Sequence, residues 1–469
     1  MRREAQDAAE TDEDVVVESR ETPSVEALSD ELASQREAER EAEAQDVRER
    51  SPYKALLSAE GVARLVPAMV VARLPLGMMS VLLVLQVSSY LGAGVAGATT
   101  AALTLGTAIF APLLGKGVDH GIGPALLRAT SVVQLALMLV LLYAAQAGAP
   151  AALVLLIAFL TGSCTPPVAG TTRSLWAHLV RPELLDMAYS FEVLLVDVLY
   201  VTGPLLASLF IGLGMAGAGL VFAVGGQAVG SWMLAASKPV HAYAEAGRMT
   251  GGKGGRRRTA ADDFTDDEAE RAEMRGLLSS AGVCLLLLVC LATNAFSGAL
   301  ETLLPLWYDS LGQPGRSGFV ISVWSIGSIL GVIGFSRFQP STRRIALPRQ
   351  LVLFSAVYLA VSLSLALYSS HAALSVAAFA IGCFVSPCTN LHYQLSGALA
   401  PKQRHGEMFS WVNTATSAGL SLGSFAIGLI VEGGSFLQAF LFPSVFLVVA
   451  LALAATLMAW ARRRGRGVA

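Results

Sequence analysis

The sequence predicts an all-α polytopic membrane protein of about 12 transmembrane helices, built as two six-helix bundles that repeat one another. Three observations carry that prediction. The 469 residues are 54% hydrophobic and only 14% charged, whereas a soluble domain carries about 25% charged residues. The apolar residues fall in long unbroken runs, not in the alternation of a barrel strand. Special residues also coincide when the chain is shifted by 220 positions.

Each run is read as one span because a hydrocarbon core about 30 Å thick needs roughly 20 apolar residues per helix. Inside lipid, only helices and closed barrels satisfy every backbone N–H and C=O. The expected spans are 65–89, 96–115, 125–146, 150–173, 186–211, 215–236, 277–303, 317–338, 347–369, 372–396, 407–431 and 436–461. Gly148-Ala149-Pro150 and Gly212-Leu213-Gly214 are read as short breaks between them.

Charge is concentrated outside these runs. Of 35 acidic residues, 17 lie in residues 1–50 and eight more in 237–275. The segments that follow are an acidic tail over 1–54, a first bundle over 55–236, a cytoplasmic linker over 237–276, a second bundle over 277–461 and a basic tail over 462–469. The first tail is too polar to bury a core of its own. Only Arg316 falls clearly on one side of the membrane, and Lys116, Arg128, Arg181, Lys238, Arg337, Arg343, Arg344, Arg349, Lys402, Arg404 and the arginines of the second tail fall on the other. By the positive-inside rule that side, with both termini, is cytoplasmic.

The repeat pairs Gly162 with Gly382, Pro167 with Pro387, Ser190 with Ser410 and Gly203 with Gly423. Glycine and proline carry backbone constraints, so their recurrence weighs more than matching leucines. Two such halves joined by a loop are the pattern of a transporter whose site lies between them.

Ionisable residues inside spans invite a functional explanation, because each costs about 2.5–3.5 kcal/mol to insert. Arg73 and Asp197 are placed near the midplane of the first and fifth spans, and an Arg73–Asp197 ion pair is the leading expectation. Glu192 lies five residues before Asp197, about 140° around the helix, and is an alternative partner for Arg73 or Arg173. Glu301 lies between Asn294-Ala295-Phe296-Ser297-Gly298 and Pro305, a run expected to bend or unwind. Asn390, His392 and Gln394 follow Pro387 at the end of the tenth span.

These features resemble the major facilitator superfamily over residues 55–461. Gly115-Lys116-Gly117-Val118-Asp119-His120-Gly121 is similar to the family's cytoplasmic gate motif, matching at Gly115 and Asp119, with Arg128 as the nearby cation. Gly203-Pro204 in the fifth span is similar to part of a motif associated with exporters. The stretch Ala72–Met79 resembles the first helix of an actinobacterial drug-efflux-like branch. The resemblance implies alternating access, with spans one, four, seven and ten lining a cavity that Arg173 and His392 face at the inner mouth.

The expectation is a proton-coupled exporter of small amphiphilic molecules, acting in the cell membrane as a monomer. Import of a small metabolite, or a non-transporting sensor or scaffold, are the rival readings. The partners expected are a small-molecule substrate, protons and the lipid bilayer, and no nucleic acid. No cofactor, metal or disulfide is expected, since the five cysteines lie in apolar runs without a C-x-x-C pair. No phosphate-binding glycine loop or nucleophile elbow points to an enzyme.

Overall fold

A computed structural model describes residues 62–180, 182–253, 280–342, 346–367, 370–400, 405–433 and 436–463. The expected tails, most of the linker, and Arg181, Arg343, Arg344, Lys402 and Arg404 lie outside the described residues. The described helices belong to one unit, Leu56–Ala469. Among the described residues eleven helices are long and apolar enough to cross a membrane.

The first of these, α2 (Met79–Gly117), spans 39 residues. At about 1.5 Å per residue it would be nearly twice as long as the hydrocarbon core if straight. It is not straight. Gly92 takes φ 84° and ψ 169°, a conformation that favours glycine. It divides α2 into 79–91 and 93–117, which supports a twelfth crossing.

Residues 79–91 complete the span begun by α1 (Val62–Ala72). The single continuous helix expected over 65–89 is not formed. Pro75 lacks an N–H, and Gly77 takes φ 74°, so the helix opens into turns over 73–78. Those turns stay bonded: Arg73 N–H donates to Val70 O at 3.1 Å and Leu76 N–H to Arg73 O at 3.0 Å. The column continues across the break against α7 (Ala216–Ala236). Gly217 faces Gln86, Gly219 faces Leu82, Gly226 faces Leu74 and Gly230 faces Ala72. Ascending numbers on one side meet descending numbers on the other, so the two run antiparallel.

α3 (Gly123–Gln146) follows a π turn, Val118–Ile122. The fourth span is also broken. α4 (Ala151–Ser163) and α5 (Val168–Leu179) are separated where Pro166 and Pro167 remove two donors. α6 (Pro182–Gly212) runs through Pro204 without a break, and α8 (Lys238–Lys253) follows α7. The second half comprises α9 (Ala281–Ser310), α10 (Arg316–Thr342), α11 (Leu347–Ser362), α12 (His371–Leu399), α13 (His405–Glu432), α14 (Phe436–Leu441) and α15 (Pro443–Arg463). α9 stays helical through Asn294 and Glu301 to Ser310. The expected unwinding there is not made.

Lipid tails are as apolar as leucine, so spans associate through close packing at small residues. The same approaches occur in both halves. Gly106 packs on the carbonyl of Phe159 and Gly162 on that of Leu103. Correspondingly, Gly327 packs on Phe379 and Gly382 on Trp324. Gly203 meets Leu76 O, and Gly423 meets Ala295 O. Hydroxyl pairs repeat as well: Thr107–Thr165 at 3.2 Å and Ser328–Ser386 at 2.6 Å. All of these pairs are related by an offset of about 220 residues, so the repeat holds in three dimensions.

The halves touch toward the end of the bundle that carries the Gly92, Gly148, Gly214 and Gly312 turns, here the tight-turn end. Gly97 meets Ser424 O and Gly428. Gly318 meets Pro204 O, and Ser322 Oγ donates to Val201 O at 2.7 Å. The opposite end carries Lys116, Arg128 and Lys238 and is called the basic end.

Candidate functional site

Four residues converge where the first, fourth and fifth spans meet. Arg73 leaves the chain at the break in the first span. Thr172 and Trp176 stand one turn apart on α5, and Glu192 projects from α6. Arg73 is 5% exposed and Glu192 4% exposed. Arg73 Nη2 donates to Glu192 Oε1, forming a buried ion pair. The same nitrogen lies 2.7 Å from Thr172 Oγ1. Thr172 Oγ1 in turn lies 3.1 Å from Glu192 Oε1, and Trp176 Nε1 donates to Glu192 Oε2 at 2.8 Å.

A buried charge pair is tolerable only when its remaining lone pairs and protons are matched. Both carboxylate oxygens are served here. The guanidinium is not: Arg73 Nη1 is buried without a hydrogen-bond partner among the described residues. Arg173, beside Thr172 on α5, brings Nε to 4.0 Å from Glu192 Oε1 but keeps its side chain 71% exposed. Two guanidiniums therefore share one carboxylate.

This arrangement corrects the expected Arg73–Asp197 pair and selects the alternative, Glu192. The reason is angular. Five residues rotate Asp197 about 140° away from Glu192, and only the Glu192 face of α6 meets the α5 residues that surround Arg73. Asp197 is half-buried elsewhere. Asp197 and Glu301 both act electrostatically on Tyr200 of α6. Glu301, on α9, also lies beside Ser80 of the first span. Among the described residues neither acid has a cation partner. This second cluster gathers acids from both halves near their contact.

The other expected site residues are dispersed. Asn294 Nδ2 donates to Cys290 O at 2.8 Å and approaches Thr416 Oγ1 at 3.4 Å. Asn390 Oδ1 accepts from Gln394 Nε2 one turn on. His392 does not face an open mouth. It is 2% exposed, with Nε2 unpartnered among the described residues. Gly115, matched to the gate motif, meets no neighbouring element among the described residues within 4 Å of where a Cβ would stand. Arg128 donates from Nη2 to Ala235 O at 3.3 Å and lies 5.8 Å over the Trp232 ring. It thereby closes the last turn of α7. Asp119 lies in the π turn, and its side chain lies outside the described residues.

Gly203 and Pro204 form a seat. Pro204 Cδ stands 2.8 Å from where a Cβ on Gly77 would be, so the fifth span presses directly on the break that presents Arg73. Trp176, Ser80 and Tyr200 were not legible as site residues. Trp176 had a signal: an indole N–H in an apolar span requires an acceptor, and it stands one turn from Thr172. Among the described residues no group of His, Cys, Asp or Glu is arranged to hold a metal, and the five cysteines form no disulfide with one another.

A repeated two-bundle helical membrane fold, with a buried charge cluster in the spans, defines the class of multi-pass membrane transporters. Within that class the chain belongs to the Major Facilitator Superfamily, whose sequence profile matches residues 65–370 and 340–468. The fold is similar to that of the nucleoside transporter NupG, with 14% identity, 84% of this chain and 98% of that chain covered, and a TM-score of 0.62. It is also similar to a peptide transporter, POT, with 14% identity, 87% and 95% coverage and a TM-score of 0.59. A bacterial homologue of the iron transporter ferroportin in an inward-facing state matches with 16% identity, 84% and 98% coverage and a TM-score of 0.59. No curated protein matches the chain.

Proposed function

We propose that the protein is a secondary active transporter that exports small amphiphilic molecules in exchange for protons by alternating access. The basic end is taken as cytoplasmic, so the described state is closed on the outside. The observation that carries proton coupling is the pair of acids at the contact between the halves. Asp197 belongs to the first half and Glu301 to the second, and both lack a cation among the described residues. Charge inside a span is costly. A proton is the smallest ligand that removes a carboxylate's charge when the halves close over it. Opening the tight-turn end would part α6 from α9 and α10 and admit water to both acids. Protons would be taken up from the outside in that open state, carried inward as the halves close over the acids, and released toward the basic end, opposite to the path of the substrate.

Membership of the superfamily and the Gly203-Pro204 seat support the reading, the latter because it couples the fifth span to the break in the first. The test uses inverted membrane vesicles with an inside-acid gradient and a panel of amphiphilic compounds. Gradient-driven accumulation is expected in the wild type and is lost in Asp197→Asn and Glu301→Gln. Full accumulation in both variants would overturn the coupling assignment.

A further inference from the structure

Arg173 and Tyr393 occupy equivalent positions, since they are 220 residues apart, the offset that relates the two halves. Equivalent residues lie on opposite sides of the pseudo-twofold axis. If both also lie close together, the axis passes between them and they flank the line along which the two bundles face each other. The Arg173 guanidinium lies within electrostatic reach of the Tyr393 hydroxyl across the two halves. Both are open, Arg173 at 71% and Tyr393 at 42% exposed. A second ring, Phe409, stands 5.9 Å from Tyr393.

The charges here do not balance. Arg73 and Arg173 face one carboxylate, Glu192, whose oxygens are already occupied by Arg73, Thr172 and Trp176. The cluster therefore holds one net positive charge among the described residues. Arg173 reaches Glu192 only at 4.0 Å, through Nε, and keeps an exposed side chain, and Arg73 Nη1 is buried without a partner among the described residues. A planar guanidinium matches a carboxylate in a two-bonded fork.

We propose that the transported molecule is an amphiphilic organic anion, its carboxylate bound by Arg173 and its apolar body laid against Tyr393. This rests on reading the gap between Arg173 and Tyr393 as the transport path. The anion supplies the charge that the cluster lacks. Tyr393 offers a ring face on the opposite half, so one molecule bridges both bundles. A cation of the same shape would meet the net positive charge directly.

The test is a thermal-shift titration of the purified full chain with three probes of like shape: naphthoate, naphthylmethanol and naphthylmethylamine. Naphthoate is expected to bind at least about tenfold more tightly than the alcohol or the amine. Arg173→Gln is expected to weaken naphthoate binding about 10- to 100-fold, with Arg173→Lys intermediate. Tyr393→Leu is expected to weaken it about 2- to 10-fold. The proposal is overturned if the amine or alcohol binds as well as naphthoate, if Arg173→Gln binds it unchanged, or if naphthoate does not bind. Vesicle flux separates this from the transport reading. Gradient-driven accumulation of the amine without naphthoate binding sinks the anion and leaves transport standing. Naphthoate binding that depends on Arg173, with no flux of any probe, does the reverse.

Discussion

Removing either partner of the Arg73–Glu192 pair is predicted to destabilise the protein, but unequally. Breaking a buried ion pair at one partner costs about 3–5 kcal/mol, because a lone charge stays behind. The surroundings decide where in that range each variant falls. Arg73→Met leaves the Glu192 carboxylate with the Thr172 and Trp176 donors, and Arg173 stands 4.0 Å away with an exposed side chain able to close in. Its cost is expected near or below the low end, about 2–3 kcal/mol, since partners in the unfolded membrane state also lower such values. Glu192→Gln strands two guanidiniums with no counter-charge, and the new amide turns donors toward one of them. Its cost is expected at the upper end, about 4–5 kcal/mol. The double variant Arg73→Met with Glu192→Gln removes both buried charges and keeps an acceptor for Trp176. It is expected to cost only about 1–2 kcal/mol, far below the sum of the single losses. Equilibrium unfolding in mixed micelles, followed by tryptophan fluorescence and circular dichroism, measures all three. A Glu192→Gln loss smaller than that of Arg73→Met, or strict additivity of the singles, would refute the shared-carboxylate geometry.

Two further outcomes follow from the packing and the charge pattern. Gly203→Val would drive a branched side chain into Leu76 O and the Gly77 backbone, and is expected to cost about 1–3 kcal/mol in the same unfolding assay. Gly170→Val, with nothing within 4 Å of its Cβ position, is the control and should cost distinctly less. For orientation, single cysteines in a chain lacking its own five should label from opposite sides. His120→Cys should react with an impermeant thiol reagent from the cytoplasm and Leu213→Cys from outside; the reverse pattern would invert the assigned topology.

Much of the fold was legible because its causes are local. Apolar runs of bilayer length, and glycine and proline recurring at one offset, are both visible in the chain, and the repeated backbone contacts of Gly162 and Gly382 bear them out. The breaks were harder. Pro75-Leu76-Gly77 and Pro166-Pro167 sit inside runs whose hydropathy never falls, so a window of average apolarity passes over them. The site was legible as a set of buried charges, but its pairing was not. Arg73 had two acids within plausible depth, and the choice depended on which face of α6 meets α5. That is a tertiary relation that no spacing on one helix encodes. The pairing of Trp176 escaped for the same reason, since its acceptor, Glu192, stands 16 positions away in the chain.

Alternating access requires the two pseudo-symmetric bundles to exchange a state closed at the tight-turn end for one closed at the basic end. Spin-label distances test it most directly, with one pair at His120 and Ala398 near the basic end and another at Leu213 and Leu311 near the tight-turn end. Across a pH series and with naphthoate added, one distance is expected to shorten as the other lengthens. Two distributions that stay fixed, or that widen together, would contradict it.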